Sequence, residues 1–291
     1  MTTAGASQGL DLIVRTLFKA GDCVVVESPG YPVLFDLLRL HGIRMVEIPR
    51  TPRGPDVDVL ESVLVKHRPQ GLFINSFYHN PTGSSLAPVV ARRLLQLARA
   101  FGVQVIEDDV YADLHSGSGM RLAALDDNVI YVGSFSKTLS SSLRVGFVVA
   151  DAEVITRLAE VKMISGMGAS RFCESVLACL LANGAYRKLV QRQRQRLSSD
   201  RLVVLQLLED AEWEVFGKPA GGLFIWARSR MSDYDQLRTQ ARRLGVLLSS
   251  KTAFNPSGEA SDWQRINVTY ACDPRARAFF QATARDRPQA F

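Results

Sequence analysis

Lys137 stands in a run of hydroxyls: Ser134 and Ser136 just precede it, Ser140, Ser141 and Ser142 just follow, and Arg144 closes the run. Read alone, the S-x-x-K spacing of residues 134–137 is that of an acyl-transferring serine, but such a mechanism also needs a K-T-G strand and an S-D-N element. Neither tripeptide occurs in the chain, and the nearest imitation of the second, Tyr78 with His79 and Asn80, precedes the serine. Hydroxyls and a guanidinium around one ammonium describe an anion site instead, in which Arg144 can grip two oxygens of a phosphate. A lone lysine is otherwise an ordinary surface residue, so its neighbours decide.

A lysine beside a bound phosphate is the setting for a Schiff base with pyridoxal phosphate, whose aldehyde lysine captures. Other segments supply what that ring requires. Residues 105–111 (VIEDDVY) form an apolar run ending in carboxylates. A buried Asp108 against the pyridine nitrogen would keep that nitrogen protonated, because opposite charge raises the pKa of a base. Tyr111 can donate to the ring's phenolic oxygen. Asn80, in H-N-P-T-G at 79–83, offers an amide to the same oxygen from a turn set by the residues that follow it. The plainer readings are a simple turn for N-P-T-G and a solvated helix cap for E-D-D. Near the start, Gly5, Ala6 and Ser7 precede an amphipathic stretch. Small residues at a helix N-terminus expose N–H groups that suit a phosphate, while Ser7 also reads as an ordinary N-cap. Tyr31, in P-G-Y-P at 29–32, either lies flat on a ring or is wedged into the core. Arg265 opens a C-terminal strand, where a bidentate arginine holds a substrate carboxylate or simply faces water.

The elements that position these groups are legible as a pattern. Apolar, β-branched runs occur at 23–27, 44–48, 72–76, 103–107, 129–134 and 145–150, separated by helical periods such as Leu10, Ile13, Val14 and Leu17, or Val90, Leu94, Leu95 and Leu97. Short apolar strands alternating with amphipathic helices predict a mostly parallel sheet covered on both faces. Ligands of such sheets sit at the strands' carboxyl ends, which is where the segments above fall. Residues 50–55 read as a Pro/Gly surface connector. A long basic helix over 185–208 reads as a solvated face with Leu189, Leu197, Val204 and Leu208 turned inward. No aromatic residues interleave its charges, which argues against a nucleic-acid patch. Beyond it a smaller α+β pattern follows: strands at 222–227, 246–249 and 265–270, a helix near 235–244 and a closing helix from Pro274. The expected division is a large domain over 1–184 and the linking helix with a small domain over 185–291.

Composition excludes several classes. Hydrophobic residues make up 47% and charged residues 22%, which is globular rather than disordered or fibrous. The longest apolar runs are far below the roughly 20 residues of a membrane helix, and no secretory leader pattern opens the chain. Four cysteines without a C-x-x-C pair make no disulfide scaffold and predict a reducing, cytoplasmic setting. A net charge of +6 is a weak argument for nucleic acid. No metal site is assigned.

The set G-A-S-Q (5–8), P-G-Y-P (29–32), H-N-P-T-G (79–83), E-D-D-V-Y (107–111), S-F-S-K…R (134–144) and R-I-N-V (265–268) resembles the class I/II aminotransferases, fold-type I pyridoxal-phosphate proteins, over nearly the whole chain. The resemblance implies a three-layer α/β/α large domain with a smaller α+β C-terminal domain. It implies pyridoxal 5'-phosphate as cofactor, with Lys137 as the Schiff-base lysine and Asp108 as partner of the ring nitrogen. Tyr111 and Asn80 become partners of the ring hydroxyl, and Ser134, Arg144, Ala6 and Ser7 phosphate ligands. Tyr31 becomes the stacking aromatic, and Arg265 the α-carboxylate clamp, with Asn80 beside it. The implied activity moves an amino group between an amino acid and a 2-oxo acid, in a homodimer. Arg265 argues mildly against decarboxylation, since it would hold the carboxylate that must leave.

The S-F-S-K-T-L and C-terminal segments also resemble the aminotransferase-like domain of MocR-type GntR regulators, which carry a winged helix-turn-helix ahead of it. DNA is an expected partner only alongside such a domain. Family members begin well before the G-A-S-Q helix, whereas Met1 here stands just ahead of Gly5. The expectation is a fragment, a shortened gene product or a regulator's effector domain, without the segment that contributes to the substrate site and the dimer interface.

Overall fold

A computed structural model describes residues 1–115, 121–166, 168–231 and 233–285. The last six positions of the expected C-terminal domain, 286–291, lie outside the described residues. The apolar runs form one eight-stranded sheet in the order β1-β8-β7-β6-β5-β2-β3-β4. Its strands are β1 (Thr2–Thr3), β2 (Cys23–Ser28), β3 (Arg44–Thr51), β4 (Gly54–Pro55), β5 (Gly71–Ile74), β6 (Gln104–Asp108), β7 (Ile130–Ser134) and β8 (Gly146–Val149). The central strands β3, β2, β5, β6 and β7 pair in parallel, while β8 runs antiparallel to β7.

Helices α1 (Ala6–Leu17), α2 (Pro32–Leu40), α3 (Val57–His67), α4 (Pro88–Phe101) and α5 (Ala152–Ser165) cover the sheet's two faces. Strand β2 shows why both must be covered: Val24 and Val26 join one core with α1 and α2, and Val25 joins the other with α3 and α4. Side chains alternate across a strand, so an all-apolar strand needs a helix layer on each side. The result is the expected three layers.

After α6 (Arg171–Ala182) comes the long helix α7 (Ala185–Asp210). A second, antiparallel sheet follows, built from β9 (Glu214–Val215), β10 (Phe224–Arg228) and β11 (Trp263–Asn267). It packs with α7, α8 (Tyr234–Arg243), α9 (Val268–Ala271) and α10 (Pro274–Arg285) around Val204, Leu208, Trp213, Ile225 and Phe279. Among the described residues no helix is long and apolar enough to cross a membrane.

Several local expectations are corrected. Of residues 50–55 only Pro52 and Arg53 make an exposed turn: Arg50 is buried in β3, its guanidinium paired with Glu27, and β4 folds back on β3 as a hairpin. Residues 246–249 form no strand, because their groups bond to α8 instead. The Val246 N–H donates to the Ala241 carbonyl and the Tyr234 hydroxyl to the Ser249 carbonyl. Strand β11 stops at Asn267, whose side chain caps α9 by accepting from Thr269 and Tyr270 N–H groups. On α7 the inward stripe is Val190, Leu197, Val204 and Leu208, whereas Leu189 is exposed. A seven-residue step returns to nearly the same helix face; the step from 189 to 197 does not.

Candidate active site

Strands β2, β5, β6 and β7 end on one edge of the large sheet. The strand order reverses between β2 and β5, with β3 on one side and β6 and β7 on the other, and such a reversal opens a crevice outside the strand ends. Antiparallel β8 begins at that edge, because Gly146 pairs with Ser134, and β1 ends there, because Thr3 pairs with Gly146. Arg144 and the first turn of α1 therefore stand beside the end of β7.

Lys137 lies in the turn after β7, where the Thr138 and Leu139 N–H groups donate to the Phe135 carbonyl. The residue as a whole opens to solvent, yet its ammonium is crowded. That local loss of water, then the positive charges of Arg265 and Arg144, hold its pKa below the ordinary lysine value, with Asp108 opposing them. The environment of the ammonium, not the exposure of the stem, sets its titration.

Asp108 is the last residue of β6; it is buried, and its Oδ1 makes no hydrogen bond. Burial pushes its carboxyl up to about 7, against the opposing pulls of the Lys137 charge and the Val110 N–H. Tyr111 is buried just beyond, its ring edge-on to Phe224 at 6.0 Å. Burial and the Asp108 charge raise its hydroxyl pKa. Half-buried Tyr31 precedes α2 and hydrogen-bonds the Ser7 side chain; burial and then Asp108 raise its pKa. It packs against the core below the sheet edge while feeling the charges of Asp108, Arg265 and Arg144.

Asn80 is buried in the turn after β5, and its Oδ1 accepts from Arg265 Nη1 at 2.8 Å. Arg265 comes from β11, so this bond joins the two sheets. Its guanidinium lies over Phe224 at 4.4 Å and Phe254 at 5.0 Å, a cation–π pairing that holds the charge in place. Gly83 permits the approach: it has φ +68°, and a Cβ there would stand 2.3 Å from the Phe224 carbonyl oxygen.

Ala6 and Ser7 occupy the first turn of α1, whose N-cap is Gly5, so Ser7 is not the cap. Ser134 is buried, its Oγ accepting from the Ser136 N–H at 3.1 Å. Arg144 is held at φ +49° and donates through Nη2 to the Ala4 carbonyl at 3.1 Å. A Cβ on Gly5 would stand 2.4 Å from that same nitrogen. Only glycine leaves room for a guanidinium at this helix N-terminus.

The E-D-D segment is not a solvated helix cap. Glu107 is buried and accepts from the Ser76 hydroxyl and the Leu122 and Ala123 N–H groups. Asp109 is buried against Arg121 and the Tyr131 hydroxyl, and burial with the Glu107 charge pushes it up to about 8.

Sequence reasoning missed the support beneath these residues. Asn75, Glu27, Arg50 and His79 form a hydrogen-bonded and ion-paired group under the N-P-T-G turn. Thr138, Tyr186 and Asp113 tie the Lys137 turn to α7. The one available signal was charge inside a strand, at Glu27 and Arg50, since such residues are buried only when paired.

A lysine held below its ordinary pKa, a buried carboxylate and an aromatic-braced arginine thus stand near the carboxyl edge of an α/β sheet. The chain belongs to the aminotransferase class I and II family, whose model matches residues 1–276. It is 35% identical over 236 residues to 2-aminoadipate transaminase of Thermus thermophilus, covering 78% of this chain and 59% of that protein. It is 29% identical over 284 residues to the uncharacterized HTH-type transcriptional regulator YdfD of Bacillus subtilis, covering 93% of this chain and 57% of that one. The chain thus spans under two thirds of either relative. Among solved structures, kynurenine aminotransferase of Pyrococcus horikoshii, in complex with PMP, superposes with a TM-score of 0.92 at 27% identity, covering 100% of this chain and 76% of that one.

Proposed function

We propose that this chain binds pyridoxal 5'-phosphate at Lys137 and works as an aminotransferase, moving an amino group between an amino acid and a 2-oxo acid. The observation that carries this is that Lys137 and Asp108 lie near enough for each to feel the other's charge, the lysine with its charge disfavoured and the aspartate with a buried oxygen that has no partner. The site fits the cofactor on its own evidence. Asp108 Oδ1 and Ser136 Oγ are buried without partners, and Gly5 lets the Arg144 guanidinium lie against the N-terminus of α1.

When bound, the cofactor supplies an aldehyde that takes up an amine and a cationic ring that draws electrons from the substrate α-carbon. Asp108 would face the ring nitrogen, Tyr111 and Asn80 the ring hydroxyl, and Tyr31 the ring face. Ser134, Arg144, Ala6 and Ser7 would hold the phosphate. Lys137, with its pKa held down, is neutral more often than an ordinary lysine and could carry a proton from the substrate α-carbon to the carbon that bore the cofactor's aldehyde. Arg265 would hold the substrate carboxylate in a two-pronged pair, with its angle set by Asn80 and the two phenylalanines. A homodimer, a cytoplasmic setting and a large domain ending near residue 184 belong to the same proposal.

A second reading keeps the site and drops the turnover: a ligand-sensing domain of a MocR-type regulator. The similarity to YdfD over 93% of the chain supports it. One experiment separates the two. An amino acid added to the cofactor-loaded chain converts the visible spectrum to that of the amine form, and a 2-oxo acid restores it. Conversion and recovery support the aminotransferase; a spectrum that shifts on ligand binding and never converts supports the sensor.

A further inference from the structure

We propose that Asn75 is a positioning residue of this site: its side-chain amide sets the separation of Asn80 and Asp108, and the buried Glu27–Arg50 ion pair holds that amide in register. This rests on the function proposed above only in what the two positioned residues do.

Asn75 stands one residue past β5, at the point where the strand order reverses. Its Oδ1 accepts the Asn80 N–H at 2.9 Å, and its Nδ2 donates to the Asp108 carbonyl at 2.8 Å and to the Phe77 carbonyl at 3.3 Å. The two amide atoms cannot exchange places, because a backbone N–H only donates and a carbonyl only accepts. One planar group thus ties the turn after β5 to the end of β6, which share no ladder bond beyond Ile74 and Glu107.

The backbone of Asn75 is clamped in turn by opposite charges. Its N–H donates to Glu27 Oε2 at 2.9 Å, and its carbonyl accepts from Arg50 Nη1 at 2.9 Å. The same Arg50 nitrogen pairs with Glu27 Oε1 at 2.6 Å, with both side chains buried. Arg50 also reaches the far side of the N-P-T-G turn, donating from Nε to Ser84 Oγ at 2.9 Å and from Nη2 to the Ser84 carbonyl at 3.3 Å. His79 closes the group: its Nδ1 lies 2.9 Å from Thr82 Oγ1 and its Nε2 3.6 Å from Glu27 Oε2. Burial and the Arg50 charge hold its pKa well below the ordinary histidine value, so it packs there as a neutral ring. An alanine at 75 would remove the tie and leave the Asn80 N–H and the Asp108 carbonyl to find other partners.

The test compares the full chain with Asn75→Ala, Asn75→Asp, Arg50→Ala and Arg50→Lys by two readouts. The first needs no ligand: deuterium exchange of a peptide covering residues 76–84. Asn75→Ala is expected to speed exchange there, and so is Asn75→Asp, which keeps the acceptor for Asn80 but sets an oxygen against the Asp108 and Phe77 carbonyls in place of the amide's donor. Arg50→Ala, which releases both sides of the turn, speeds it, and Arg50→Lys restores part of the protection. The second is titration with pyridoxal 5'-phosphate, followed by the pH midpoint of the visible band. Asn75→Ala is expected to weaken binding roughly tenfold, as loss of the two hydrogen bonds that hold Asn80 and Asp108 would, and to move that midpoint. Unchanged exchange in Asn75→Ala overturns the inference, as does parental affinity with a parental midpoint. If the parent chain itself takes up no cofactor, the proposed function fails, and the exchange data alone decide the positioning claim.

Discussion

Asp108 is where the site's electrostatics can be read without any ligand. Its carboxyl titrates near 7 when folded, above the usual carboxylate value. The folded chain therefore holds that proton more tightly than the unfolded chain, and stability declines as pH climbs from about 4 to about 7. Asp108→Asn removes this contribution. In denaturant melts across that window the parent chain should lose at least about 1 kcal/mol more than the variant. Asp109, pushed up to about 8, adds a slope of the same sign to both proteins, so the difference between them isolates Asp108. Equal slopes would mean the carboxylate is better solvated than its burial implies. Position 108 was legible as a carboxylate at a strand end; that its Oδ1 lacks a partner was not, because partners come from segments distant in sequence. The same holds for Asn75, a polar residue after an apolar run, whose role depends on Asn80, Asp108, Glu27 and Arg50 meeting in space.

At the scale of elements, α7 tests the packing between the linking helix and the second sheet. Leu208→Ala opens a cavity in the core shared with Trp213, Ile225 and Phe279 and should cost about 3 kcal/mol. Leu189→Ala, on the exposed face, should stay within about 0.5 kcal/mol. Chemical denaturation of the two variants checks the stripe, and a cost at Leu189 equal to that at Leu208 would return Leu189 to the inward face its sequence first suggested. The central strands were legible because an apolar run buried on both faces needs no knowledge of its neighbours. The direction of β8 was not, since antiparallel pairing with β7 follows from where the intervening turn carries the chain. That direction matters, because it is what brings Arg144 to the same edge as Lys137. Arg50 was misplaced for a related reason: Pro49 and Pro52 around it signal a turn, while its ion pair with Glu27 draws it inside.

For the whole molecule, one sheet edge carries Lys137, Asp108 and Asn80, and a second sheet supplies Arg265 across the bond to Asn80. The order of motifs along the chain was enough to foresee which loops converge. It could not foresee the aromatic brace of Phe224 and Phe254 around Arg265, because two strands and a long loop must close to make it. The central claim is that Lys137 is the point of covalent attachment for the cofactor. The chain is loaded with pyridoxal 5'-phosphate, reduced with borohydride, digested and mapped by mass spectrometry. The account predicts a pyridoxyl mass on the peptide containing residue 137, and none there in Lys137→Arg; a parent chain with no tag, or with its tag on another lysine, would contradict it.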